Sequence, residues 1–273
     1  MIKSTPTYKA ISYLAKKINS IKDRLRSSFI DDFIEGACFR PFIQPIFDDN
    51  GENIKGCEVL LRVENESGYD SPVAYINDLE KSEQMNNITI NLITQVEESF
   101  SAFKDNLPEG FYFSFNIYAP QLQSKKLQRA ILHFCESFKG NAFLLLEVVE
   151  RGVLKFDETT IDIVDELMIK GVRFAIDDFG AGTSSLKYIE HMGFSTIKID
   201  RALTISVGEE LVYKKVIEAI VSLSEKLGLS VTAEGVETYS QKKLLHDAGV
   251  NAMQGYFLAK PMHVKEFLKS YIH

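Results

Sequence analysis

Residues 172–200 read VRFAIDDFGAGTSSLKYIEHMGFSTIKID. Two short apolar runs, residues 172–177 and 195–199, are typical of buried strands, and the segment between them has helical spacing. Gly193 precedes the second run, where glycine accepts the left-handed conformation that ends a helix. The first run ends in Asp177 and Asp178, and the second carries Lys198. The stretch therefore predicts a strand–helix–strand unit with charged side chains near the strand ends.

The same unit recurs along most of the chain. From residue 39 onward, apolar runs alternate with segments of helical periodicity, such as residues 211–227. The predicted strands are residues 40–47, 54–63, 111–117, 142–149, 172–177, 195–199, 229–233 and 252–258. Repeated βα units with about eight strands predict an α/β fold of the TIM-barrel type.

One connection departs from this pattern. Residues 48–53, DDNGEN, are too few for a crossover helix, and the pair Asn50–Gly51 is a hairpin signal. The first two strands should therefore be antiparallel. We expect a modified (β/α)8 barrel with one antiparallel strand.

Composition excludes several classes of protein. The 273 residues carry a net charge of −7, which argues against a general nucleic-acid binder, so no DNA binding is expected. With 19 Phe and 11 Tyr, the chain is too aromatic to be mainly disordered. No run approaches the roughly 18 apolar residues of a membrane span, and the N-terminus does not resemble a secretory signal.

Cysteine and histidine usage narrows the chemistry further. The three cysteines, Cys38, Cys57 and Cys135, are far apart, which favours reduced thiols in a cytoplasmic protein. The five histidines form no HxxxH or HxH pair. Any metal should therefore bind oxygen ligands, which favours Mg²⁺ or Mn²⁺ over zinc.

Residues 1–28 differ from the rest of the chain. They carry a net charge of +6, so the remainder carries −13, and their apolar residues recur at helical spacing. They are predicted to form a short N-terminal amphipathic helix before a domain of residues 29–273. This leader helix either packs on the domain or docks on a partner, a second copy or an anionic membrane, the membrane being less favoured.

Polar side chains stand on seven successive predicted strands or directly after them. A barrel gathers the C-terminal ends of its strands around one mouth. A lone carboxylate at a strand end is more often a helix cap, but so many together would repel one another unless a cation neutralises them. The pattern predicts one or two hard divalent ions at the mouth. The residues are Glu58, Asn116, Glu147, Asp177, Asp178, Lys198, Glu234 and Gln254.

Taken in order, these segments resemble the EAL-domain cyclic di-GMP phosphodiesterases. The matching motifs are residues 44–45 (QP), 58–62 (EVLLR), 115–116 (FN), 147–150 (EVVE), 177–185 (DDFGAGTSS), 198–200 (KID), 233–238 (AEGVET) and 254–256 (QGY). The resemblance implies a modified TIM barrel with one reversed strand. It also implies hydrolysis of cyclic di-GMP to linear 5′-pGpG with two Mg²⁺ or Mn²⁺ ions.

The resemblance also implies a role for each matching residue. The implied metal ligands are Glu58, Asn116, Glu147, Asp177, Asp178 and Glu234. The implied catalytic residues are Lys198, which would orient the attacking hydroxide, with Glu58 and Glu234. Whether Glu234 acts mainly as ligand or as general base stays open. The implied substrate contacts are Gln44, Leu60, Arg62 and Gln254.

A second layer of residues is implied to support the site. In the family, the glutamate that matches Glu150 holds the loop of residues 179–185, which couples a homodimer to the metal site. The supporting residues would be Glu150, Phe179, Gly180, Gly182 and Ser184. The alternative is an ordinary βα loop capped by Ser184.

Two departures from the family pattern and two other functions remain. Val59 replaces the usual Ala, and residues 75–80, YINDLE, keep the final glutamate of a Phe-Ile-Pro-x-Ala-Glu segment but lack its Pro and Ala. The chain could instead be a catalytically silent EAL protein that binds cyclic di-GMP or a protein partner, or a metal-dependent barrel with another substrate. Degenerate members usually lack ligands or the glutamate base, and all these positions are filled here, which favours the enzyme. The remaining residues leave no room for a diguanylate cyclase or sensor domain.

Overall fold

The computed structural model describes residues 37–74, 76–80, 82, 84–149, 157–180 and 193–272. The strands are β1 Cys38–Asp48, β2 Ile54–Asn65, β3 Gly68–Asp70, β4 Phe111–Asn116, β5 Ala142–Val149, β6 Arg173–Phe179, β7 Thr196–Ile199, β8 Ser206–Val207, β9 Glu210–Leu211, β10 Ser230–Ala233, β11 Ala252–Met253 and β12 Met262–His263. The α-helices are α1 Ile76–Leu79, α2 Met85–Phe100, α3 Lys125–Ser137, α4 Glu158–Ile169, α5 Lys214–Leu227, α6 Tyr239–Asp247 and α7 Val264–Tyr271. Short 3₁₀ helices span Pro72–Ala74, Ser101–Asn106 and Ala119–Gln123.

Eight of these strands close into a barrel. The order around the ring is β1, β2, β4, β5, β6, β7, β10, β11 and back to β1. Strand β1 is antiparallel to both of its ring neighbours, β2 and β11, and the other ring pairs are parallel. The predicted TIM-type barrel with one antiparallel strand is therefore confirmed.

The reversed strand comes from the predicted hairpin. The backbone N–H of Asp48 donates to the carbonyl oxygen of Asn53 at 2.8 Å, and Gly51 N–H donates to Asp48 O at 2.9 Å. The Asp48 carboxylate accepts from Glu52 N–H and from the Asn53 side chain. The turn satisfies its own polar groups, which fixes the register that places Gln44 opposite Glu58.

The hairpin strands are longer than the other ring strands and extend past the barrel mouth. There β3 pairs with the end of β2, and β12 pairs with the start of β1. We call β12, β1, β2 and β3 in this region the ribbon. It forms one wall above the mouth where the parallel strands end.

The helices bury one apolar face each against the barrel. Phe113 on β4 lies at the centre of an aromatic cluster, with ring centroids 4.8 Å from Phe100 of α2 and 5.3 Å from Phe134 of α3. All three rings are fully buried. Edge-to-face aromatic pairs add to the burial of apolar area. This packing makes the barrel a rigid support for side chains at its mouth.

The last barrel strand is shorter than predicted. Residues 252–258 were expected to be extended, but β11 ends at Met253. The chain then turns, with the N–H groups of Leu258 and Ala259 both donating to Gly255 O at 3.0 Å. A Cβ on Gly255 would overlap the backbone N and O of Val236, so only glycine allows this close approach.

Several predictions fall on residues that the structure does not describe. These are the leader helix of residues 1–28 and the loop residues Glu150, Gly182 and Ser184, and all of them stay predictions. Among the helices of the described residues, none is long and apolar enough to span a bilayer.

Candidate active site

Lys198 is the centre of the polar cluster at the barrel mouth. Its Nζ lies 2.6 Å from Glu234 Oε1, 2.7 Å from Glu147 Oε2, 3.4 Å from Glu58 Oε2 and 3.5 Å from Asp177 Oδ1. The four acids come from four different strands or strand ends. The sequence prediction that the strands deliver these side chains to one mouth is therefore supported by their contacts.

Because the cluster is buried, the charges of Lys198 and the four acids interact strongly. Lys198 is 1% exposed. Burial alone would lower the pKa of Lys198, but the four surrounding carboxylates raise it well above its usual range. The lysine is therefore charged, and it offsets only one of the negative charges around it.

Glu58 is held in its ionised form by its neighbours. Burial would raise the pKa of Glu58, but the charge of Lys198 and hydrogen bonds from Gln254 and Asn116 outweigh it and lower the pKa. Asn116 Nδ2 donates to Glu58 Oε1 at 2.7 Å, and Gln254 Nε2 donates to Glu58 Oε2 at 2.8 Å. These bonds also fix the direction of the carboxylate.

The pKa values of Glu147 and Glu234 are raised, in contrast to that of Glu58. Burial, together with the neighbouring acids, raises the pKa of Glu147 well above its usual range although Lys198 opposes the shift. The same causes raise the pKa of Glu234 to about 8. With this pKa the Glu234 carboxyl holds a proton near neutral pH, and a cation that replaced it would relieve the repulsion among the acids.

A local irregularity in β6 directs two adjacent aspartates into one group. Neighbouring side chains on a regular strand point to opposite faces. The register between β6 and β7 shifts between Ile176 and Phe179, and Asp178 has φ 55°, in the left-handed region. As a result, one carboxylate oxygen each from Asp177, Asp178 and Glu234 lies within 4.8 Å of the others. Such a bulge redirects a side chain, as bulges near active sites often do.

This group fits a divalent metal ion. Its donors are carboxylate oxygens, which Mg²⁺ and Mn²⁺ prefer. Asp177 Oδ1 is buried and accepts no hydrogen bond, although it lies 3.5 Å from the Lys198 ammonium. The lone pairs of this buried oxygen accept no hydrogen bond, so they are available to a metal ion beside the Lys198 ammonium.

The loop after β10 positions Glu234. Its N–H donates to Ile199 O at 3.1 Å, which continues the pairing of β10 with β7 past the last strand residue. Thr204, fully buried, donates its hydroxyl to Glu234 O at 2.7 Å. The backbone of Glu234 is therefore held on both sides.

Gln44 and Gln254 form a buried chain of amides beside Glu58. Gln44 Nε2 donates to Ala259 O at 3.1 Å, and Gln254 Nε2 donates to Gln44 Oε1 at 3.0 Å. Gln254 Oε1 is buried without a hydrogen-bond partner. In this arrangement Gln44 orients Gln254, which also donates to Glu58, so the two amides help to hold that carboxylate in place.

A cavity of about 240 Å³ opens beside the acids. Its lining includes Asn116 and Glu147 from the cluster and Leu60 and Arg62 from β2. Arg62 Nη1 donates to the carbonyl oxygen of Leu61 at 2.8 Å, which restrains the guanidinium. Two of the four predicted substrate contacts, Leu60 and Arg62, thus share one cavity with two predicted metal ligands.

Two of the predicted supporting residues are described. Phe179 is buried in the core at the end of β6. Gly180 has φ +93°, and a Cβ there would overlap Leu203, so the chain can leave the strand in this direction only with glycine.

Sequence reasoning missed two residues that hold the acids. Ser114 Oγ donates a hydrogen bond to Glu147 Oε1, and both groups are buried. Ser114 stands two residues before Asn116 on β4, so the strand alternation could have placed it on the same face. Thr204 carried no such signal, because it lies in a turn after β7.

Comparison with known proteins gives a consistent family. A family model described as EAL domain matches residues 28–261. Two Escherichia coli K12 proteins, each named as a probable cyclic di-GMP phosphodiesterase, are 34% identical: PdeG over 231 residues (84% of this chain, 46% of its own length) and PdeN over 228 residues (83% and 44%). PdeL of the same organism, named as a cyclic di-GMP phosphodiesterase, is 30% identical over 241 residues (88% and 67%). The chain spans about half the length of PdeG and PdeN.

Solved structures show the same fold. The EAL enzyme Bd1971, in a form bound to cAMP and cyclic di-GMP, superposes with a TM-score of 0.81 at 26% identity, covering 98% of this chain and 76% of that chain. The phosphodiesterase PaMucR in complex with cyclic di-GMP superposes with a TM-score of 0.75 at 27% identity, covering 84% and 94%.

Proposed function

Because the chain belongs to the EAL domain family, we propose that it hydrolyses one phosphodiester bond of cyclic di-GMP to give linear 5′-pGpG. The observation that carries the proposal is the buried lysine within hydrogen-bonding or ion-pair distance of four carboxylates at the barrel mouth. The relatives named as cyclic di-GMP phosphodiesterases support the choice of substrate.

We assign two divalent ions, Mg²⁺ or Mn²⁺, to this site. Asp177, Asp178 and Glu234 already form one oxygen group, and Glu58, Asn116 and Glu147 would complete the second. Bound ions of this kind lower the pKa of water and stabilise charge on an attacked phosphate. The ion identity rests on the oxygen donors alone.

Lys198 orients the attacking water in this proposal. A cation surrounded by acids is a poor metal ligand, but its ammonium can donate to a water oxygen. Glu234 would serve either as a metal ligand or as the general base that takes the proton from the water. Arg62 is suited to binding a phosphate group, because a guanidinium can donate two parallel hydrogen bonds to phosphate oxygens.

The test is incubation with cyclic di-GMP and Mg²⁺, followed by chromatography of the products. We expect 5′-pGpG, and no product after chelation of the metal. In Ca²⁺ we expect binding without turnover, because Ca²⁺ binds oxygen ligands at longer distances and activates water less. Full activity in Ca²⁺ or in chelator would contradict the metal assignment. Binding without product in Mg²⁺ and Mn²⁺ would indicate a silent EAL protein instead.

The homodimer and the cytoplasmic location remain predictions from the sequence. Light scattering of the purified chain tests the first of them.

A further inference from the structure

The face of the ribbon that continues the candidate site carries aromatic side chains. Gln44 and Glu58 lie opposite each other at the level of the acids, and Phe42 and Leu60 form the pair two residues farther along. Side chains two residues apart on a strand share a face, and directly paired residues do too. Phe42 is also paired with His263 of β12 on its other side.

Three rings from three strands meet on this face, and we call Phe42, Tyr69 and His263 the aromatic wall. The ring centroids lie 4.9 Å apart for Phe42 and Tyr69, 6.0 Å for Phe42 and His263, and 6.1 Å for Tyr69 and His263. Arg62 places its guanidinium carbon 5.7 Å from the centre of the Phe42 ring. The wall therefore adjoins the cation that we assign to a phosphate oxygen.

The wall is fixed in place but only partly covered. His263 Nδ1 accepts the N–H of Lys265 at 3.2 Å at the start of α7, which sets the orientation of the imidazole. Tyr69 remains 41% exposed although it touches both other rings. An ordered aromatic face that water still reaches can stack a flat ring without first reorganising.

The wall also lies at a suitable distance from the acids. Phe42 is two residues along β1 from Gln44, or about 7 Å of strand. Gln44 is joined through Gln254 to Glu58. A nucleotide whose phosphate lies at the acids could therefore extend its sugar and base along the ribbon.

We propose that the aromatic wall stacks a purine base of the substrate and, with Arg62, sets the affinity for it. This inference rests on the proposed function, because it assigns a subsite to the same nucleotide. Flat bases stack on aromatic side chains, and arginine adds a cation–π contribution. The wall residues would be specificity residues rather than catalytic ones, since none of them reaches the acids.

The test uses the full chain and two variants that remove a ring with little effect on the fold. Tyr69→Ala removes the exposed ring. His263→Asn removes the imidazole but keeps a side chain that can cap α7. The measurements are the Kd for cyclic di-GMP in Ca²⁺, and KM and kcat in Mg²⁺. Tyr69→Phe keeps the ring, and Phe103→Ala removes a ring of similar exposure (38%) in the 3₁₀ helix Ser101–Asn106.

We expect Tyr69→Ala and His263→Asn each to raise Kd and KM about five- to 150-fold with a much smaller change in kcat. Tyr69→Phe and Phe103→Ala should bind like the unaltered chain. If the unaltered chain hydrolyses cyclic di-GMP and both ring-removing variants bind it normally, the inference is wrong while the proposed function stands. A loss confined to kcat would also overturn it. If the unaltered chain neither binds nor hydrolyses cyclic di-GMP, the proposed function itself fails.

Discussion

Lys198 is the single side chain on which the arrangement of the acids most depends. Its ammonium contacts four carboxylates and is buried with them. Removing it leaves the acids to be neutralised by protons or by metal ions. Because metal ions can replace this charge but cannot replace an oriented N–H donor, binding and chemistry should separate.

We expect Lys198→Ala to keep affinity for cyclic di-GMP in the presence of metal and to lower kcat by roughly 10²–10⁴-fold, the range of a positioned proton-handling group. Nucleotide affinity and turnover are measured on the same sample. Lys214→Ala removes an exposed lysine that forms only a 3.8 Å pair with Glu218, and it should change neither quantity. Normal turnover of Lys198→Ala, or loss of binding, would mean that Lys198 is misassigned.

Glu234 makes the metal-free protein sensitive to pH. Its pKa is raised from 4.5 to about 8 by burial and neighbouring acids. The folded state therefore keeps a proton that the unfolded state releases between these values, so this group stabilises the fold at low pH and the contribution is lost as the pH rises to about 8. A metal ion must displace the same proton, so its binding becomes easier over that window.

We therefore expect Mn²⁺ to raise the melting temperature more at pH 8 than at pH 6. Thermal melts with Mn²⁺ and with chelator at both pH values measure the difference. Glu234→Gln should flatten it, whereas Glu209→Gln, at an exposed position outside the cluster, should not. An Mn²⁺ effect that is larger at pH 6 would contradict the raised pKa.

The sequence predicts which residues reach the mouth better than how they are oriented. Glu58, Glu147 and Lys198 follow from their positions on apolar strands. The shared direction of Asp177 and Asp178 does not, because it needs the irregularity in β6 and a positive φ at Asp178. Which acids in the cluster have raised pKa values, and which have lowered ones, depends on distances of a few ångströms across the barrel. Strand periodicity does not predict such distances.

Among the elements, the hairpin is the most predictable and β11 the least. Asn50–Gly51 between two apolar runs has a local cause, so β1 and β2 follow from it. The run Tyr256–Phe257–Leu258 has strand-like composition, yet it turns, because Gly255 lets the chain pack on the backbone around Val236. That contact joins segments about twenty residues apart and overrides the local preference.

The turn after β11 also carries part of the site, which makes Gly255 testable. It follows Gln254 directly, and the turn supplies the Ala259 carbonyl oxygen that holds Gln44. A Cβ at residue 255 must displace the backbone of Val236. We expect Gly255→Ala to destabilise the protein by about 1–3 kcal/mol, the usual range for overpacking, and to lower turnover.

Urea unfolding and activity assays measure the two effects of Gly255→Ala. Gly110→Ala is the matched control, since a Cβ there meets open space and the cost is only that of a left-handed alanine, about 1–2 kcal/mol. Gly110→Ala should leave turnover unchanged. Equal effects of both substitutions would show that the close approach at Gly255 does not position Gln254.

The barrel as a unit separates stability from chemistry. The helices and the aromatic cluster around Phe113 supply a dry core. The mouth concentrates buried acids that repel one another, with Lys198 as the buried counter-charge. A rigid ring of strands can hold such a cluster in place, so a bound metal ion would add to the stability of a fold that is already formed.

Because the barrel core supplies the stability, we can predict the result of removing the leader, residues 1–28. Each of the eight barrel strands lies at or after Cys38, and β1 is held on both sides by β2 and β11. Deleting residues 1–28 should therefore leave a folded barrel, with far-ultraviolet circular dichroism of the same shape and a cooperative thermal transition. If the leader joins two copies, light scattering should show that the truncated protein is more monomeric. An activity assay should then show lower turnover. An unfolded product would instead show that the apolar face of residues 1–28 belongs to the core. Removing a segment that covers apolar surface costs about 25 cal/mol of folding free energy for each Å² that becomes exposed to water.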